Sequence, residues 1–160
     1  MEVLRLKKRA RQLEVWAGNG AFGPKGGVLD GIAVLGDRVF ANTLATSKLF
    51  GVAIERGGKA GAVTEIKLDR PISRPDGMRS FGKDSLLVVE GGAGRLSLVT
   101  ISGDSATVKT LSEGYPDGAT AVTVVGDVAW VLEAQLGAMR GPATNPAKPF
   151  IAPEVNVGKP

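Results

Sequence analysis

The segment Leu29-Asp30-Gly31-Ile32-Ala33-Val34-Leu35-Gly36-Asp37 returns as Pro75-Asp76-Gly77-Met78-Arg79-Ser80-Phe81-Gly82-Lys83-Asp84. A weaker echo follows in Ala119-Thr120-Ala121-Val122-Thr123-Val124-Val125-Gly126-Asp127. The glycines that close the three units stand at 36, 82 and 126, so the spacings are 46 and 44 residues. A period of roughly 40–50 residues built from short β-rich runs is the pattern of propeller blades. A blade cannot bury both of its faces alone and must stack on neighbours around an axis.

The 160 residues hold about three and a half such periods, whereas a closed propeller needs at least four blades. The expected fold class is therefore all-β: a partial, about three-bladed β-propeller of four-stranded antiparallel blades, with under about 10% helix. Residues 1–28 read as the end of a preceding blade plus a glycine-rich loop, with a strand over 12–17. Residues 29–70 and 71–114 read as blades, and 115–160 as an incomplete terminal blade. Hairpin signals place strands near 31–35, 38–44, 48–55 and 62–68, then near 77–82, 85–90, 95–101 and 106–112. The last unit offers strands at 119–125 and 128–135, a loop over 137–149 and a further strand around 150–156. Closed or open, such blades put apolar residues on their faces, and Val34, Phe40, Val88, Val124 and Trp130 are expected to be bare where a neighbour is missing. Exposed edges of this kind favour self-association.

Composition removes several kinds of chemistry. The chain has no histidine and no cysteine, which excludes from it a Ser-His-Asp triad, a Cys-His dyad and His- or Cys-ligated zinc. The net charge of +4 comes from residues 1–28, with six basic and two acidic side chains; residues 29–160 hold 14 of each. The repeating body is not a basic platform, so no nucleic-acid partner is expected. The basic start runs into Gln12-Leu13-Glu14 instead of an apolar stretch, so no secretory signal is visible. No apolar run approaches the roughly 18 residues of a membrane span. No membrane partner is expected, and the default compartment is the cytoplasm.

Two motifs bear on function. Gly18-x-Gly20-x-x-Gly23 has the spacing of a dinucleotide fingerprint, but Pro24, Gly26 and Gly27 follow where a helix N-terminus is required. It reads as a loop. The recurrent Asp-Gly is more informative, because antiparallel blades place the loop before strand one and the loop between strands two and three on one face. Asp30, Asp76 and Thr120 then form one ring about the axis. Asn42 or Thr43, Glu90 and Glu133 form a second, at the ends of the second strands. Oxygen donors converging there suit a hard divalent cation. The competing reading is turn chemistry, with Asp capping its own backbone and Gly supplying a positive φ.

Pro75-Asp76-Gly77-Met78 before one blade, Asp30-Gly31 one blade earlier and Val128-Ala129-Trp130-Val131-Leu132-Glu133 after Gly126-Asp127 resemble the regucalcin/gluconolactonase/luciferin-regenerating family. The likeness covers most of residues 12–136 and implies the C-terminal half of a six-bladed propeller. It implies a divalent cation, calcium above others, held by Asp30 and Asp76, with Asp76 also the base, and a lactone or ester as substrate. Thr120 has no counterpart among that family's ligands, and the blade that supplies its glutamate ligand has no counterpart here. Three readings follow: half of a metal-dependent lactonase, inactive or weakly active alone; a half-propeller closing as a homodimer; and a non-catalytic binding or scaffold module.

Overall fold

The computed structural model describes residues 1–18, 20–23, 28–116, 118–136 and 149–159. The chain is nearly all β, with 58% of it in strands. A short hairpin of β1 (Val3–Arg5) and β2 (Glu14–Ala17) comes first. An antiparallel sheet of β3 (Leu29–Leu35), β4 (Arg38–Thr43), β5 (Lys48–Ile54) and β6 (Ala60–Glu65) follows, in the spatial order of the chain. The short β7 (Lys67–Leu68) leaves this sheet and pairs parallel with the outer strand of the next. That second sheet contains β8 (Pro75–Phe81), β9 (Ser85–Glu90), β10 (Arg95–Ser102) and β11 (Ser105–Glu113). The third has β12 (Ala119–Val125), β13 (Val128–Glu133) and β14 (Glu154–Asn156).

The hairpins follow from local chemistry. Gly36, Gly82 and Gly126 occupy the same turn after the first strand of each sheet, all in the left-handed region with φ of 59°, 63° and 63°. A Cβ is disfavoured there, which is why the closing glycine marks the repeat. The loops expected at 24–27 and 137–148, and Asp117 before the third unit, lie outside the described residues.

Three apolar layers hold the sheets together. Val39, Phe50 and Val52 of the first sheet pack on Val3, Ala17 and Phe22, with the Phe22 and Phe50 rings edge to face at 5.6 Å. Phe40, Leu49, Met78, Leu86, Val88 and Val99 fill the space between the first and second sheets. Leu87, Val89, Leu96, Tyr115, Val122 and Val131 fill the space between the second and third. The second sheet is thus covered on both faces, and all six residues of β9 are buried. Alternation fails there for that reason: a strand between two neighbours has no solvent side.

Phe40 and Val88 are therefore buried, Val124 and Trp130 half-buried, and only Val34 of the five expected bare residues is fully exposed, at 58%. Ile32 joins Val34 on the uncovered face of β3, and Leu132 and Val125 are exposed on the third sheet. Arg38 ties the first two sheets at the end opposite Asp30: its Nη1 donates to Gly103 O at 2.7 Å and its Nη2 to Asp104 at 3.0 Å. The strand boundaries differ from expectation mainly at the start of each unit, where β3 and β8 begin two residues early and take in Asp30 and Asp76.

Candidate axial carboxylate site

The Asp-Gly pairs are β-bulges. Pairing of β3 with β4 steps from Leu29↔Thr43 to Ile32↔Ala41, leaving one extra residue on β3 at Asp30-Gly31. Pairing of β8 with β9 steps from Pro75↔Glu90 to Met78↔Val88, with the extra residue at Asp76-Gly77. In the third sheet the step runs from Ala119↔Glu133 to Ala121↔Leu132, at Thr120. The same irregularity therefore opens all three sheets and re-aims one side chain in each. Asp30, Asp76 and Thr120 are structurally equivalent, as the sequence alignment anticipates. In the second ring the register selects Thr43, not Asn42, as the partner of Glu90 and Glu133.

Gly31 and Gly77 are not in the left-handed region, which removes the positive-φ reading of Asp-Gly. Their role is close approach. A Cβ on Gly31 would collide with the Asp76 carbonyl oxygen, and one on Gly77 would lie 2.7 Å from the Thr120 carbonyl oxygen. The glycine of each sheet thus receives the backbone of the aspartate-equivalent residue in the next, and β3 packs on β8 as β8 packs on β12. Asn42 completes the first seam. Its Oδ1 accepts from Gly31 N at 3.0 Å and its Nδ2 donates to Asp76 O at 2.7 Å. It is fully buried, and its two bonds satisfy a bulge amide and an adjacent sheet's carbonyl together.

This stacking brings the two carboxylates under each other's influence. Asp76 is half-buried and Asp30 exposed. Burial first, and then the negative charge of Asp30, push the Asp76 carboxyl up to about 6 against an opposing hydrogen bond from Gly77 N. The Asp30 charge acting on Asp76 marks an oxygen-rich locus where a cation would relieve repulsion.

Glu90 is not available to that locus. It is 0% exposed and accepts from Arg95 Nη2 at 2.9 Å, Ser97 Oγ at 2.6 Å, Ser73 N at 2.6 Å and both Arg70 terminal nitrogens at 3.1 Å. Burial alone would raise its carboxyl; the hydrogen bonds from Arg95, Ser97, Ser73 and Arg70 win and hold it down to about 2. Arg70 also reaches Thr110 Oγ1 at 3.1 Å, so one guanidinium laces β9, β10 and β11 together. Glu133 is 3% exposed, and its backbone N donates to Ile151 O at 3.1 Å. The second ring is buried, Thr43 and Glu133 with Glu90, and Glu90 is an internal brace. The signal was present in the sequence: Glu90 closes the all-apolar run Leu86-Leu87-Val88-Val89, and a four-residue turn brings Arg95 opposite it.

Among the described residues no group of three or more acidic, histidine or cysteine side chains is gathered closely enough to hold a metal ion. Asp30 and Asp76 fit a divalent cation in charge and in kind of donor, but supply only part of the six to eight oxygens that calcium takes. No helix among the described residues is long and apolar enough to cross a membrane.

Antiparallel four-stranded sheets stacked face to face, with their first strands side by side, define a β-propeller. Solved structures agree. The chain is similar to virginiamycin B lyase from Staphylococcus aureus, with 18% identity and a TM-score of 0.61 over 82% of this chain and 42% of that one. A catalytically inactive histidine-to-alanine variant of that lyase, solved with quinupristin, gives 19% identity and a TM-score of 0.62 over 98% of this chain and 48% of that one. A luciferin-regenerating enzyme gives 14% identity and 0.56 over 90% and 47%. These are six-bladed propellers of the gluconolactonase-like fold, and this chain spans less than half the length of each. No protein-family model matches the chain, and no curated protein matches it in sequence.

Proposed function

We propose that this chain supplies half of a propeller whose axial site holds a divalent cation, calcium above others, with Asp30 and Asp76 as ligands from this half. The observation that carries this is the electrostatic pairing of the two aspartates: equivalent bulges in adjacent sheets, locked by Gly31 and Asn42, set them where one raises the other's pKa. The reaction class is the hydrolysis of a small lactone or ester. A bound cation supplies Lewis acidity and an acidified water. This chain's own residues orient that centre: the Asn42 clamp fixes the Asp76 backbone, and the Asp76 carboxylate takes up the proton released in the attack.

The remaining oxygens come from outside these three sheets, so the chain alone binds calcium weakly and hydrolyses lactones slowly or not at all. This half of the propeller carries no counterpart of the histidine that the lyase needs. The lyase is inactivated by replacing a histidine, and this chain has none. A titration of calcium into wild type, Asp76→Asn and Asp30→Asn by calorimetry tests the reading. Weak binding by wild type and at least a tenfold loss in each variant is expected; equal heats in all three leave a binding or scaffold module instead.

A second reading concerns assembly. The uncovered Ile32 and Val34 on the first sheet and Leu132 and Val125 on the third favour closure of the ring by a second copy, which would bring another Asp30 and Asp76 to the axis.

A further inference from the structure

The three sheets share one register, which identifies what each face touches. Counted back from the closing glycines, Ile32, Met78 and Val122 are equivalent, and so are Leu35, Phe81 and Val125. Met78 packs towards the first sheet and Val122 towards the second, at 0% and 3% exposure. Ile32, their counterpart on the first sheet, is 49% exposed. On the opposite faces Leu35 packs towards the second sheet and Phe81 towards the third, at 9% and 8%, while Val125 is 69% exposed. Phe40 and Leu87 are buried in the same way, and their counterpart Trp130 is only half-buried. The bare face of the first sheet and the bare face of the third are therefore the two halves of a contact that the chain makes twice internally.

The two ends are also incomplete in complementary ways. The outermost strand of the first sheet leads on to the innermost of the second, and that of the second to the innermost of the third. Since β2 leads on to β3, β1 and β2 stand as the outer pair of a blade to which, among the described residues, no inner strands belong. They cover the outer part of the first sheet: Val3 and Ala17 pack on Val39, Phe50 and Val52, and Trp16 Nε1 donates to Gly58 O at 2.8 Å. Ile32, on the innermost strand, stays bare. The third sheet has the opposite lack, with β12 and β13 of seven and six residues followed by the three-residue β14. Charge agrees: residues 3–17 carry five basic side chains and one acidic, whereas 119–133 and 154–156 carry Asp127, Glu133 and Glu154 and no basic residue. Opposite signs favour pairing of these unlike ends over pairing of like ones.

We propose that a second copy of this chain completes both ends, with β12 and β13 of one copy inserted on Ile32 of the other, inside its β1 and β2. Each composite blade takes its inner strands from one chain and its outer strands from the other, and β14 yields the third position to β1 of the second copy. Two complete blades from each copy and two composite blades make six, the number in the similar solved structures, of which this chain spans less than half. The inference rests on the assembly reading above and adds which strands meet. One position departs from the internal pattern. Gly31 and Gly77 admit a carbonyl of the next sheet, but their equivalent in the third sheet is Ala121. Its methyl meets the Asp30 carbonyl of the second copy, so this junction is looser than those within one chain, and glycine there tightens it.

Sedimentation equilibrium of wild type, Val125→Asp, Ala121→Gly and Lys8→Glu with Arg11→Glu tests the arrangement. Wild type is expected to dimerise, Val125→Asp to lose at least tenfold in dimer affinity, and Ala121→Gly to gain at least threefold. The charge reversal in the hairpin should cost about fivefold, and Asp127→Lys with Glu154→Lys added to it should restore the affinity. A Cβ on Gly31 would lie 3.1 Å from Met78 Cγ, so Ala121 and Ile32 approach each other across the junction between copies. The chain has no cysteine of its own, and Ala121→Cys with Ile32→Cys should form an inter-chain disulfide under mild oxidation that neither single variant forms. A wild type that is monomeric at every concentration overturns this proposal and the assembly reading together. A dimer that Val125→Asp leaves intact, an Ala121→Gly dimer of unchanged affinity, or single cysteine variants that cross-link as fully as the pair shows that the copies do not meet by this seam and overturns the proposal. A dimer weakened by Val125→Asp but not by the charge reversal overturns the composite blade and leaves closure of the ring standing.

Discussion

Asn42 joins two blades through one amide: it accepts from Gly31 N at 3.0 Å and donates to Asp76 O at 2.7 Å. The bond to Asp76 sets the backbone of a candidate ligand from the neighbouring sheet. Asn42→Ala would leave the Gly31 amide buried and unpaired, with an expected destabilisation of about 1–3 kcal/mol. Chemical denaturation measures it, and a change under about 0.5 kcal/mol would show that water replaces the amide.

Gly31 and Gly77 form a matched pair of seam contacts. Gly31→Ala and Gly77→Ala each force a methyl onto a carbonyl of the next sheet, and a loss of at least about 3 kcal/mol is expected, at the upper end for overpacking. Gly36→Ala, at a turn with open space around it, carries only a left-handed penalty of about 1–2 kcal/mol. Thermal melts that rank Gly36→Ala as the most damaging would refute the close-approach role.

The Asp76 carboxyl gives stability a signed pH dependence. Its folded pKa is about 6 against an ordinary 3.8, so between these values the folded chain holds more protons than the unfolded one. Stability from this group accordingly falls as pH rises from 3.8 to 6. Asp30→Asn removes one of the two causes of the rise, and the Asp76 titration observed by carbon NMR should move down. An unmoved titration would mean burial acts alone.

Glu90 acts in the opposite sense. Its folded pKa is about 2 against 4.5, so its contribution is present above 4.5 and is lost as pH falls from 4.5 towards 2. Glu90→Gln removes the carboxylate that Arg70 and Arg95 share in a buried brace, and a loss of about 3–5 kcal/mol is expected. Replacing all three with apolar residues should be milder. Urea titrations at pH 7 and pH 3 separate the two contributions, because Glu90→Gln should flatten the acid limb.

The uncovered apolar faces predict association. Sedimentation of wild type should show dimers or larger species, and Ile32→Asp with Val34→Lys should shift the population to monomer. A monodisperse wild-type monomer would show that these faces tolerate water.

The amino-acid sequence determined the blades. The recurring closing glycines, the Asp-Gly steps and the β-rich runs are local signals, and each follows from turn chemistry or from the propensity of one strand. They place β3–β6 and β8–β11 within a few residues and align Asp30, Asp76 and Thr120. Tertiary structure decided what those residues do. Gly31 and Gly77 are explained by a carbonyl 45 or so residues further along the chain, which only the stacking of one sheet on the next brings near. Glu90 and Glu133 look in sequence like a second ring of ligands; packing between adjacent sheets buried them, and burial forced Glu90 into its arginine pairs. The left-handed Arg74 is invisible in one dimension, since its backbone is held by Ser47 and its neighbour Ser73 by Glu90 and Gly92, from two other segments. Periodicity reports what repeats along the chain, whereas the charge, strain and close contacts of a site arise where separate repeats meet.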